Sequence, residues 1–175
     1  MRKTRNVIGA LALATVLVIT IAPKTFAHCQ VPCGIYGDQM RFEIMVEHIA
    51  TIEKSMNQII ELSSKPGKNA NQLVRWVNNK DEHADKISEI VSYYFLAQRI
   101  KEPGSDADVS EIKNYQARLN FLHRLTVSAM KCKQTTDLGN VGKLRAALEE
   151  FADSYLSAED RAHLDEHHGW GGDGK

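Results

Sequence analysis

Apolar residues recur along most of this chain at alternating steps of three and four, the period of an amphipathic helix. Met45, Ile49, Ile52, Met56 and Ile59 form one such stripe. It predicts a core-facing helix over residues 39–63, entered through a turn and N-cap at Gly37-Asp38 and broken at Pro66-Gly67. Proline cannot continue the helical hydrogen-bond ladder, and glycine accepts the turn. A second helix is predicted over residues 69–100, with Leu73, Trp76, Val77, Ala84, Ile87, Val91 and Tyr94 inward. Its middle, residues 78–83, is polar for a core helix, so it is either a solvated face or a face that meets something polar. Pro103-Gly104 is the next break, with Ser105 or Asp106 as cap. A third helix follows over residues 107–133, with Ile112, Tyr115, Leu119, Leu122 and Ala129 on one side. After the cap signal at Thr135-Thr136-Asp137, a fourth over residues 141–156 carries Val141, Leu144, Leu148, Phe151 and Tyr155 at the same spacing. Ser157 and Asp160 form a capping-box pattern that opens one more short helix. No strand alternation and no internal repeat is present. Four helices on short links predict an all-α fold, an antiparallel up-down-up-down four-helix bundle over residues 37–168, followed by a flexible tail at 169–175.

The N-terminus follows a different pattern. Basic residues in 1–6 precede an apolar run over 7–22, and Pro23-Lys24-Thr25-Phe26-Ala27 places small residues at the positions a signal peptidase reads. The apolar run is shorter than the ~20 residues a membrane span needs. Residues 1–27 therefore read as a cleaved signal peptide, and the mature protein as exported, periplasmic or extracellular, with no membrane association after processing. An uncleaved N-terminal anchor is the alternative. Export also changes the charge. The whole chain has 22 basic and 22 acidic residues, but Arg2, Lys3, Arg5 and Lys24 leave with the signal, so 18 basic against 22 acidic remain, a net of −4. No basic patch suited to nucleic acid remains. The size and the apolar fraction of 43% suit one globular domain.

Cleavage after Ala27 gives residues 28–36, His-Cys-Gln-Val-Pro-Cys-Gly-Ile-Tyr, a chemical role. His28 becomes the first residue, and its α-amino group becomes a nitrogen donor. That amine, the amide nitrogen of Cys29 and the thiolates of Cys29 and Cys33 can lie in one plane, because amine, amide and first thiol form adjoining small chelate rings. Square-planar nitrogen and sulfur sets suit Ni(II) or Cu(II), whereas zinc favours a tetrahedron. Thiolates and an ionised amide donate electron density and lower the potential at which nickel reaches its trivalent state, so redox cycling comes within reach. The imidazole of His28 can approach from the axial side. The competing reading of Cys29 and Cys33 is a disulfide in a plain secreted bundle, although so small a loop adds little stability. Cys132 reads as a semi-buried helix residue. His163 and His167, four apart, are either a two-ligand metal site or an exposed polar terminus.

The run His28-Cys29-x-x-Pro32-Cys33-Gly34-x-Tyr36 at a processed N-terminus resembles the nickel hook of nickel superoxide dismutases, and the helical remainder resembles a branch of that family. The resemblance implies disproportionation of superoxide to dioxygen and hydrogen peroxide by Ni(III)/Ni(II) cycling. It implies one nickel per subunit held by His28, Cys29 and Cys33. It also implies Tyr36 beside the open face of the metal, Glu43 as the glutamate behind the axial histidine, and a homohexamer. A signal peptidase or dedicated leader peptidase is then a processing partner. Gln30 stands where the family has an acidic residue, and the family's second-shell arginine falls near Asn79, with Arg75 one turn away. An exported nickel or copper carrier using the same hook is the alternative function.

Overall fold

The computed structural model describes residues 37–64, 67 and 69–168. It is all-helical, with no strand among the described residues. Helix α1 spans Asp38–Ser63, α2 Ala70–Glu89, α3 Val109–Gln134, α4 Leu138–Tyr155 and α5 Ala158–His168. Helix α2 continues without interruption into π-helical turns over Ile90–Arg99. Helix α1 packs on α2, α2 on α3, α3 on α4 and α4 back on α1, while α5 lies against α1. No helix among the described residues is long and apolar enough to cross a membrane. The signal, the hook and the tail expected at residues 1–36 and 169–175 lie outside the described residues.

The apolar stripes meet in one core. Every residue of the α1 stripe is buried, and so are Ala84, Ile87, Val91 and Tyr94 from α2 and its extension, and Val141, Leu144, Leu148 and Phe151 from α4. One end of this core is aromatic. Phe42 stacks on Phe151 with centroids 5.3 Å apart and meets Phe95 edge-on at 5.3 Å, and Tyr155 packs against Phe42, Phe95 and Phe151. Phe42 lies three residues before Met45 and extends the same stripe by one turn. The π-helical turns widen the inward face, so that the neighbouring residues Tyr94 and Phe95 are both buried. They end in an i+5 hydrogen bond from the Ile100 amide to the Phe95 carbonyl, 2.9 Å.

Several expectations change. Leu73, Trp76 and Val77 are only partly buried, Ile112 is exposed and Tyr115 is partly exposed, because the first turns of α2 and α3 extend past the closed part of the core. On α3 the inward face is Leu122, Leu125, Ala129 and Cys132. The cap of α3 is Asp108, whose carboxylate accepts the Glu111 amide at 2.8 Å. Helix α4 starts earlier than the glycines suggest, capped by Asp137 on the Gly139 amide at 2.9 Å. Cys132 is fully buried, and burial pushes its thiol up to about 11. At Ser157 the hydroxyl accepts the Asp160 amide and donates to the Asp160 carboxylate, which closes the predicted cap of α5.

The polar middle of α2 is solvated at Asn78 and Glu82, but its other residues meet polar partners. Lys80 is 3% exposed, and its ammonium donates to the carbonyls of Cys132, at 2.8 Å, and Lys133. Asp81 completes its shell at 2.7 Å. A lysine thus satisfies carbonyls that the last turn of α3 leaves without helical partners, at the end where the helix dipole favours a cation. Asn79 donates to the Ser55 hydroxyl of α1 at 2.9 Å. His83 meets His48 of α1 with Nδ1 atoms 3.0 Å apart.

Candidate metal centre and its anchor

Residues 28–36 join the described fold at Gly37, so the first turn of α1 is the base from which any hook projects. Asp38 holds this base. Its side chain does not cap α1, and Gly37 provides no side-chain cap either. The carboxylate instead turns inward: it accepts the Tyr94 hydroxyl on Oδ1 and the Tyr155 hydroxyl on Oδ2 at 2.7 Å, and it forms an ion pair with Arg99, whose Nε lies 2.8 Å from Oδ1 without hydrogen-bond geometry. The partners come from the end of the α2 extension and the end of α4, so one side chain ties the entry of α1 to two other elements. Arg99 also donates to the Tyr94 hydroxyl at 2.9 Å.

The electrostatics follow from this arrangement. Burial and the neighbouring Asp38 carboxylate raise both tyrosines above the ordinary phenol range. Both therefore remain protonated donors at neutral pH, and neither serves as a base. Arg41 and Arg99 each lie over the Tyr94 ring, 4.9 and 5.0 Å from its centroid. Arg41 Nε is buried without a hydrogen-bond partner. Gln39 donates to Glu43 at 3.0 Å and contacts the His163 ring of α5.

Of the sequence-predicted site residues, His28, Cys29, Cys33 and Tyr36 lie outside the described residues. Glu43 lies on the second turn of α1, partly buried beside Gln39. Asn79 sits at Ser55, twelve residues along α1 from Glu43 and so roughly 18 Å up the helix. Arg75 is exposed on α2. The cations nearest the base of α1 are instead Arg41 and Arg99. His163 reaches the start of α1 through Gln39. The Asp38 clamp was missed because its members are 56 and 117 residues apart. The available signal was the acid next to the predicted hook together with a tyrosine at the end of each of two apolar stripes.

Among the described residues no group of three or more histidine, cysteine, aspartate or glutamate side chains could hold a metal ion. The donor set read from the sequence lies in residues 28–33, outside the described residues, and thiolates with nitrogen donors of that kind suit nickel.

Helices whose polar clamp fastens the first residue of the fold define an all-α scaffold with a fixed point of chain entry. Residues 23–159 match the family described as nickel-containing superoxide dismutase. The chain belongs to that family: it is a superoxide dismutase, an oxidoreductase with nickel as cofactor and superoxide as substrate. No curated protein and no solved structure matches the chain.

Proposed function

We propose that this superoxide dismutase works through an N-terminal hook at residues 28–36, released when a signal peptidase or dedicated leader peptidase removes residues 1–27 from an exported, periplasmic or extracellular protein. His28 would hold the nickel through its α-amine and its imidazole; Cys29 through its amide nitrogen and thiolate; Cys33 through its thiolate. Bound there, nickel supplies single-electron exchange between its trivalent and divalent states, one ion per subunit, and superoxide is disproportionated to dioxygen and hydrogen peroxide.

The chain's own residues supply position and access. Pro32 and Gly34 shape the return of the hook. The Tyr36 hydroxyl would order water or the incoming anion beside the metal. Glu43 takes the second ring nitrogen of His28, as carboxylates generally do for ligating histidines. Asp38 fixes the direction in which the hook leaves α1. The helices form an antiparallel up-down-up-down four-helix bundle, which the ring of neighbouring helices supports, with a flexible tail at 169–175. The subunits assemble as a homohexamer, so that neighbours wall each hook.

The observation that carries this reading is the family match across residues 23–159, which spans the whole proposed hook; the Asp38 clamp two residues after Tyr36 supports it. N-terminal sequencing of the purified protein with elemental analysis tests it. A start at His28 with about one nickel per chain is expected. An earlier or blocked start in nickel-loaded, active protein would remove the amine ligand and refute the hook.

A further inference from the structure

Next to the clamp, with Arg99 in common, is a cavity of ≈ 180 Å³ between the end of the α2 extension and the first turns of α3. Arg99, Lys101, Glu111, Asn114, Tyr115 and Arg118 give it a polar lining. The four α3 residues fall at steps of three, one and three, which is one face of the helix. Arg99 is neutralised by Asp38. Lys101 and Arg118 face a single carboxylate, Glu111, and neither has an ion-pair partner within 4.0 Å among the described residues.

Arg118 is also fixed in place. Its Nε and Nη2 both donate to the Ser154 carbonyl, at 3.2 and 2.9 Å, and its guanidinium lies 5.3 Å over the Tyr155 ring. Those partners are neutral, so its charge is not matched, and Nη1 is left over as a donor. A planar fork held this way before any ligand arrives loses little freedom on binding. Asn114 and Tyr115 add neutral donors. The volume is well below the ~300 Å³ at which organic-ligand pockets usually begin, so it admits a small anion and some water and excludes a nucleotide.

The geometry points to a binding site for a small oxyanion of the phosphate or sulfate class, built by Lys101 and Arg118 with Asn114 and Tyr115. It adjoins the hook's anchor through a chain of contacts: Arg118 on the Tyr155 ring, the Tyr155 hydroxyl on Asp38, and Asp38 on Arg99. The site depends on none of the proposed nickel ligands, and its test is independent of theirs.

Isothermal titration of the mature nickel-loaded protein with inorganic phosphate, against sodium chloride at matched ionic strength, tests the site. Saturable phosphate binding is expected, weakened about tenfold in Lys101→Ala and in Arg118→Ala, since each removes one charge-assisted contact, and unchanged in Lys143→Ala on the exposed face of α4. Arg118→Ala also removes the contact to Ser154 and can lose stability for that reason, so Lys101→Ala, which breaks no such contact, decides. Phosphate heats no greater than those of chloride, or wild-type binding by Lys101→Ala, would overturn the site.

Discussion

Replacing Asp38 by alanine removes the acceptor for two hydroxyls and the ion-pair partner of Arg99, from two other elements, and leaves the Tyr94 and Tyr155 hydroxyls and Arg99 facing a void. Hydrogen bonds to a charged group contribute roughly 1.5–3 kcal/mol each when buried. The Asp38 and Arg99 side chains are 27% and 31% exposed, which places each bond near the lower end of that range, and the freed hydroxyls can recover part of the loss from water. Loss of a carboxylate in the first turn of α1 adds about 0.3–1 kcal/mol through the helix dipole. We expect Asp38→Ala to lower stability by about 2–4 kcal/mol. Asp38→Asn should lose only about half as much, because the amide oxygen still accepts and a tyrosine hydroxyl can turn to accept from the amide nitrogen. Urea unfolding of the mature protein measures both; with a slope of roughly 2 kcal/mol per molar, the midpoint of Asp38→Ala should fall by about 1–2 M. Because the clamp holds the start of α1, from which the proposed hook extends, Asp38→Ala should also release nickel to a chelator faster than the wild type. A midpoint within about 0.3 M of wild type for Asp38→Ala would refute the clamp.

Acid stability should depend on the His48–His83 pair. Burial chiefly, with repulsion from His83 and Lys86 and some relief from Glu82, lowers His48 to about 4 from 6.5, and burial lowers His83 as well. The unfolded chain then binds more protons between those values, so this contribution is complete above pH 6.5 and is lost as the pH falls toward 4. The shift corresponds to about 3 kcal/mol at most, which solvent at these partly exposed rings reduces to roughly 1–2. His48→Leu should therefore lose less stability than wild type between pH 7 and 5, and an identical loss would exclude the pair as its source. Lys80→Met should cost about 2–4 kcal/mol, because it removes the donor to the Cys132 and Lys133 carbonyls at the end of α3; thermal unfolding within about 1 kcal/mol of wild type would show that water replaces it. In metal-free, reduced mature protein a thiol reagent should react rapidly with Cys29 and Cys33 and slowly with Cys132, whose thiol is buried and pushed up to about 11; three equally fast thiols in the folded protein would contradict its burial.

The helices were legible wherever a single periodic stripe decides burial. The stripes of α1 and α4 were read correctly because each helix has one inner face throughout. Phe42 and Phe95 were missed for different reasons: the first extends the α1 stripe beyond the turn where its apolar residues seemed to begin, and the second faces inward only because the chain changes from α- to π-helical turns, which the α period does not anticipate. Lys80 and Asp38 were illegible for a common reason. Each polar side chain is satisfied by groups distant in sequence, the end of α3 for one and Tyr94, Arg99 and Tyr155 for the other, and a local pattern cannot distinguish such a residue from a solvated one. The proposed metal site is the opposite case, because its donors lie within six consecutive residues and their chemistry can be written from the sequence.

In the proposed function, His28, Cys29 and Cys33 hold the nickel that acts on superoxide. The most direct measurement is the superoxide dismutation rate and nickel content of mature Cys29→Ser/Cys33→Ser protein beside wild type, with helicity checked by circular dichroism. A folded protein that binds little nickel and has lost essentially all dismutation is expected. Wild-type activity in that variant would contradict it.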